Sequence, residues 1–217
     1  MNLSEKILKQ INLFVAVIYA LTLLYAFIIN YESDKQAFYM GFVSILCPLI
    51  VPLLFRLFHF QPVYEIYILS TCFCYFASLI GSCLGGYSLF FFDKVVHFCS
   101  GLFATLAAMI LFYLIRQSNR LEDRKCYRLF LVFINACNMA IALLWEYYEY
   151  AMLIFFDNDC IHHYTQGVHD SITDTMSAFV GGILITLFVM RAYHSKKPNF
   201  FTRIPEVFYE RNIRKTQ

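Results

Sequence analysis

Six apolar stretches punctuate the chain, each close to the roughly 20 residues that a helix needs to cross the hydrocarbon core of a bilayer. They fall at about 11–29, 38–55, 63–84, 94–115, 129–155 and 171–190, joined by short polar connections. Runs of this length predict an all-α fold, a six-transmembrane-helix bundle. A single membrane domain then covers residues 1–194, and residues 195–217 form a basic and aromatic tail. Within the runs, Pro48 and Pro52 predict a kink in the second helix, because proline lacks the N–H that the helix needs. Gly81, Gly85 and Gly86 predict a tight turn or a close helix contact before the fourth. The first three helices read as scaffold.

Composition agrees with the pattern: 60% of the 217 residues are hydrophobic and only 15% charged, which excludes an ordinary soluble domain. The few charges are unevenly placed. With the N-terminus inside, Lys6, Lys9, Arg56, Arg116, Arg120, Arg124, Lys125, Arg128 and the tail's Arg191, Lys196, Lys197, Arg203, Arg211, Arg214 and Lys215 all lie on one side. Only Lys35 and Lys94 remain outside, so the positive-inside rule places both termini in the cytoplasm. The basic residues therefore mark topology and contact with anionic lipid, and nothing points to nucleic acid. The first span follows Lys6 and Lys9 as a signal sequence would. It is long, however, and runs into Asn30-Tyr31-Glu32 without a small-residue cleavage site, so it reads as a retained anchor. Most of the eight cysteines fall inside apolar spans and read as small packing residues rather than a disulfide framework.

Three motifs hold nearly all the charge inside the spans: Asp93 with His97, Glu146 with Glu149, and Asp170 with Asp174. Each pair is spaced to share one helix face. Ionisable groups beside lipid are costly unless they have partners or a task. Counting about 1.5 Å per residue up from Arg116, Arg128 and Arg191 puts all six side chains between about 25 and 34 Å, one slab at the outer membrane edge. A shared site requires such common height.

Structural readings compete with a site. Asp93 reads as the N-cap of the fourth helix, and Ser171-Ile172-Thr173-Asp174 as a capping box opening the sixth. Glu146 and Glu149 resist that account, because the C-terminal half of a helix disfavours carboxylates and like charges three residues apart repel. They need a cation, drawn from Lys94, His97, the loop histidines His162, His163 and His169, or a metal. An ion-pair cluster centred on Lys94 is one solution. The excess of carboxylates on this side favours a divalent ion as the other. Asn135, Asn138 and Ala142 continue the same face of the fifth helix inward, and Ser177, Ala178 and Gly181 that of the sixth, so these helices can approach closely.

The segments FDKVVHFCSG (92–101), LLWEYYEYA (143–151) and TQGVHDSITDTMSAFVGG (165–182) resemble the signature blocks of the YjdF-like family of bacterial multi-helix membrane proteins. A looser likeness to VanZ-like membrane proteins lies in the Asp-Lys-x-x-His block and the late Asp-x-x-x-Asp. Just upstream of Asp170, where the resemblance implies a further acidic residue, this chain has Val168 and His169. The resemblance implies a multi-pass protein of the bacterial cytoplasmic membrane and recurring site positions, but no assigned reaction.

The leading expectation is a metal-dependent hydrolase or transferase whose site faces out and whose substrate is a lipid or lipid-linked headgroup. His97, Glu146, Asp170 and Asp174 are the expected ligands of one or two Zn²⁺, Mn²⁺, Mg²⁺ or iron ions. Glu149 is the expected general base, Asp93 orients His97 or binds the ion, and Lys94 contacts a substrate phosphate. Two alternatives stand beside it. One is a cation or proton transporter using the same carboxylates, although no repeat relates the first three helices to the last three. The other is a non-enzymatic sensor or assembly subunit, whose tail, with Phe200, Phe201, Phe208 and Tyr209, binds a partner or lies on the inner leaflet.

Overall fold

A computed structural model describes residues 3–121 and 123–214, so Lys215 of the basic tail lies outside the described residues. Among these residues the regular elements are all helical. Six helical stretches are long and apolar enough to span a membrane: Ser4–Ser33, Lys35–Leu57, Tyr64–Cys83, Phe92–Arg116, Arg124–Phe156 and Val168–Ser195. Each contains or closely overlaps an expected span, and several extend further, because capped helices continue past the last apolar residue. The chain divides into two compact units, Met1–Asp93 and Lys94–Gln217.

In the first unit, α1 (Leu3–Ser33) is followed by α2 (Lys35–Leu46), whose N-cap Asp34 accepts a hydrogen bond from the Ala37 N–H at 2.9 Å. The expected break at Pro48 takes the form of a 3-10 segment, Cys47–Leu49, before α3 (Ile50–Leu57) resumes. α4 (Tyr64–Cys74) runs on into a π-helical stretch, Tyr75–Cys83. Asn30 of α1 donates to the Cys83 carbonyl at 2.7 Å, satisfying an acceptor that no further helical turn would meet. Gly85 then takes the left-handed conformation, φ 75°, which lets the chain turn sharply. Tyr19, Ala26, Leu79 and Cys83 form the core, and Tyr19 Oη donates to the Ser44 carbonyl at 2.7 Å.

The second unit is built on α5 (Phe92–Arg116), α6 (Arg124–Phe156) and α7 (Val168–Ser195), with α8 (Phe200–Asn212) from the tail. α5 and α7 run parallel to each other and antiparallel to α6. Small residues set their separation: a Cβ at Gly101 would run into the backbone carbonyl of Ala178, and one at Gly181 into that of Phe98. α6 is tied across this seam by Asn138 Nδ2 donating to the Ala178 carbonyl at 3.0 Å and Asn135 Nδ2 donating to Thr186 Oγ1 at 2.8 Å. The polar face of the fifth span therefore does serve close packing.

The tail departs from a free surface segment. Asn199 and Thr202 close a reciprocal capping box at the start of α8, and Ile204, Phe208, Tyr209 and Ile213 are buried. Tyr209 meets Tyr113 of α5 edge to face at 6.2 Å between ring centroids. Of the tail aromatics, Phe200 remains exposed.

Candidate functional site

The first turn of α5, the C-terminal part of α6 and the first turns of α7 converge in the second unit, bringing together side chains that are 49 to 80 positions apart in the chain. Lys94 Nζ lies 2.6 Å from Asp170 Oδ1 and 2.7 Å from Asp174 Oδ1. Both aspartates are buried, so the ammonium supplies the counter-charge that two carboxylates require away from water. His97 Nε2 stands 3.8 Å from Asp174 Oδ1, within reach of an ion pair when the imidazole is protonated.

His97 also faces α6. His97, Glu146 and Glu149 each present one ligand-type atom, and these atoms all lie within 4.8 Å of one another. Glu146 is 5% exposed and His97 6%, whereas Glu149 is more open and accepts a hydrogen bond from Trp145 Nε1 at 2.8 Å. One imidazole and two carboxylates at such spacing form a donor set suited to a borderline divalent ion. The i, i+3 spacing in α6 places both glutamates on one face, and the parallel run of α5 beside α7 brings His97 to meet them.

Asp93 sits in the first turn of α5, one turn ahead of His97 on the same helix, where its charge also suits the helix dipole. The capping reading of Asp174 does not hold. α7 opens at Val168 behind Gly167, which puts Asp170 in the first turn and Asp174 inside the helix. Gly167 supplies a backbone conformation, φ 60° and ψ −140°, that side-chain-bearing residues avoid, so the helix starts four residues before the Ser-x-x-Asp pattern suggests. Thr173 and Ser177 bond back to the carbonyls of their own helix and take no part in capping.

The loop histidines do not join the cluster among the described residues. In that loop Asp159 instead binds backbone, accepting from the N–H groups of His163 at 2.6 Å and Tyr164 at 3.1 Å. Trp145, absent from the expected site, was signalled by an i, i+4 spacing to Glu149 that places an indole N–H beside a carboxylate.

The chain belongs to the family described as predicted membrane protein (DUF2238), whose sequence profile matches residues 11–196. That range covers all six spans' apolar cores and every residue of the charged clusters. Neither a curated protein nor a solved structure matches the chain.

Proposed function

We propose, from membership of this family of predicted membrane proteins, that the chain is a multi-pass enzyme of the YjdF-like type in the bacterial cytoplasmic membrane. In this reading a divalent metal ion bound by His97 and Glu146, with Glu149 beside it, serves a hydrolase or transferase acting on a lipid or lipid-linked substrate. The observation that carries it is the approach of those three donors to within 4.8 Å in a largely buried setting. Two carboxylates three residues apart at the dipole-disfavoured end of a helix are well served by a bound dication.

The ion would polarise a phosphoryl or acyl oxygen and make water easier to deprotonate. Glu149, the most open of the three and held by Trp145, is placed to take the proton from that water. Asp93, one turn before His97, is positioned to orient the imidazole. Lys94 occupies Asp170 and Asp174. For either aspartate to ligate an ion, Lys94 has to leave it, and its ammonium then becomes available to a substrate phosphate. With both termini cytoplasmic, the cluster faces outward, where lipid headgroups and lipid-linked precursors are reached from the periplasmic leaflet.

Elemental analysis of detergent-purified protein tests the reading. Wild type is expected to retain stoichiometric metal, with the content collapsing in His97→Ala and Glu146→Ala while circular dichroism stays helical. Fully folded wild type without metal overturns the proposal. Proteoliposomes separate enzyme from transporter: turnover of lipid without movement of a radioactive divalent ion is expected, and ion uptake without turnover defeats the enzyme.

A further inference from the structure

The opposite end of the second unit contains a cavity of about 620 Å³, unconnected with the charged cluster and within the about 300–1,000 Å³ typical of ligand sites. Three features of its lining differ in chemistry. The inner wall is apolar and aromatic, with Met109 and Tyr113 from α5 and Phe130 from α6. The rim carries Lys196 and Lys197, exposed where α7 ends; Lys196 turns the chain at φ 54°. The side formed by α8 carries Glu206, half-buried, with no lysine or arginine ion-paired to it among the described residues.

Glu206 is held on a rigid wall. α8 is capped at Asn199, whose Nδ2 also donates to the Phe188 carbonyl of α7 at 2.7 Å, and the helix buries Ile204 and Phe208 on either side of the Glu206 turn. Burial and the neighbouring Glu210 push the Glu206 carboxyl above its ordinary range, the mark of a carboxylate lacking a counter-charge. We infer that this cavity binds an aminophospholipid, with the phosphate at Lys196 and Lys197, the primary ammonium at Glu206, and the first part of an acyl chain against Met109, Tyr113 and Phe130.

The combination narrows the ligand. An anionic headgroup without an amine satisfies the lysines and leaves Glu206 facing more negative charge. A choline headgroup brings the positive charge without an N–H to donate, so it loses the charge-assisted hydrogen bond. A soluble aminophosphate satisfies both charges without an acyl chain to meet the apolar lining. The surrounding basic residues Arg116, Arg124, Lys125 and Arg203 suit this end to a phosphate-rich leaflet surface.

Native mass spectrometry of the full chain, released from nanodiscs of equimolar phosphatidylethanolamine, phosphatidylglycerol and phosphatidylcholine, is the test. Phosphatidylethanolamine adducts are expected to exceed the other two by about tenfold, the equivalent of one charge-assisted hydrogen bond. Glu206→Gln, a neutral near-isostere, is expected to erase the preference over phosphatidylglycerol. Lys196→Ala with Lys197→Ala, both with exposed side chains, is expected to cut adducts of all three lipids. Equal retention in wild type, a preference surviving Glu206→Gln, or wild-type retention in the double lysine variant overturns the assignment. Displacement of the lipid by millimolar phosphoethanolamine overturns the role of the acyl chain.

Discussion

Lys94 Nζ lies 2.7 Å from Asp174 Oδ1, an ion pair in which the aspartate has no exposed surface at all. Asp170, 2.6 Å away on the same helix face, shares that single ammonium. One lysine thus holds two buried carboxylates at the start of α7. Removing one member of a buried pair strands the other charge and costs about 3–5 kcal/mol. Lys94→Ala is therefore expected to lower the unfolding temperature in detergent sharply, while Lys94→Ala combined with Asp170→Asn and Asp174→Asn recovers much of the loss. Equal damage in the single and triple variants contradicts a pairing role.

The α5–α7 seam makes a second expectation. Gly101→Ala forces a methyl into the Ala178 carbonyl, with backbone on both sides and no flexible side chain to yield. A loss at the upper end of the about 1–3 kcal/mol of overpacking is expected. Gly85→Ala meets nothing within 4 Å and bears only the left-handed strain of φ 75°, about 1–2 kcal/mol. Thermal unfolding monitored by size-exclusion chromatography ranks the two; Gly85→Ala proving the more damaging contradicts the tight seam.

Orientation is accessible to thiol labelling. Cys160 is exposed in the α6–α7 loop and Cys126 lies at the start of α6, at opposite ends of that helix. In variants retaining one or the other cysteine, a membrane-impermeant maleimide is expected to label Cys160 in spheroplasts and Cys126 only after lysis. The reverse pattern puts the charged cluster in the cytoplasm.

Glu206 predicts a pH signature. Its folded-state pKa is raised, first by burial and then by Glu210, so the protonated carboxyl is the form the fold prefers. Its contribution to stability is complete below the unfolded value, about 4.3, and is lost as pH rises through the raised folded value. Tyr113 of α5, His194 in the last turn of α7, and Lys196 and Lys197 beyond it line the same cavity and temper the effect. Relative to Glu206→Gln, wild type is expected to lose unfolding temperature as pH climbs from about 4 to 7. Parallel curves for the two proteins contradict a strained carboxyl.

Much of this architecture is legible along the chain because membrane helices obey one-dimensional rules. Hydrocarbon thickness dictates the length of each apolar run, and Pro48 interrupts α2 because a missing N–H is a local property. The same reasoning puts the six ionisable side chains at one height from counting alone. It fails at Asp174, because the start of α7 is decided by the backbone of Gly167 rather than by the better-looking Ser-x-x-Asp pattern. It also underrates the tail: α8 is capped by Asn199 and buries Phe208 and Tyr209, and no hydropathy window detects a short helix whose apolar face is matched to a particular groove.

Span number and helical class were determined by the sequence alone, since each depends only on residues near one another in the chain and on the bilayer's thickness. Which charge meets which was decided by the tertiary structure. Lys94 was free, on spacing alone, to meet Glu146 or Glu149 as readily as Asp170 or Asp174. The contact of Gly101 with Ala178 fixes the rotation and height of α5 against α7, sending Lys94 to the aspartates and His97 to the glutamates.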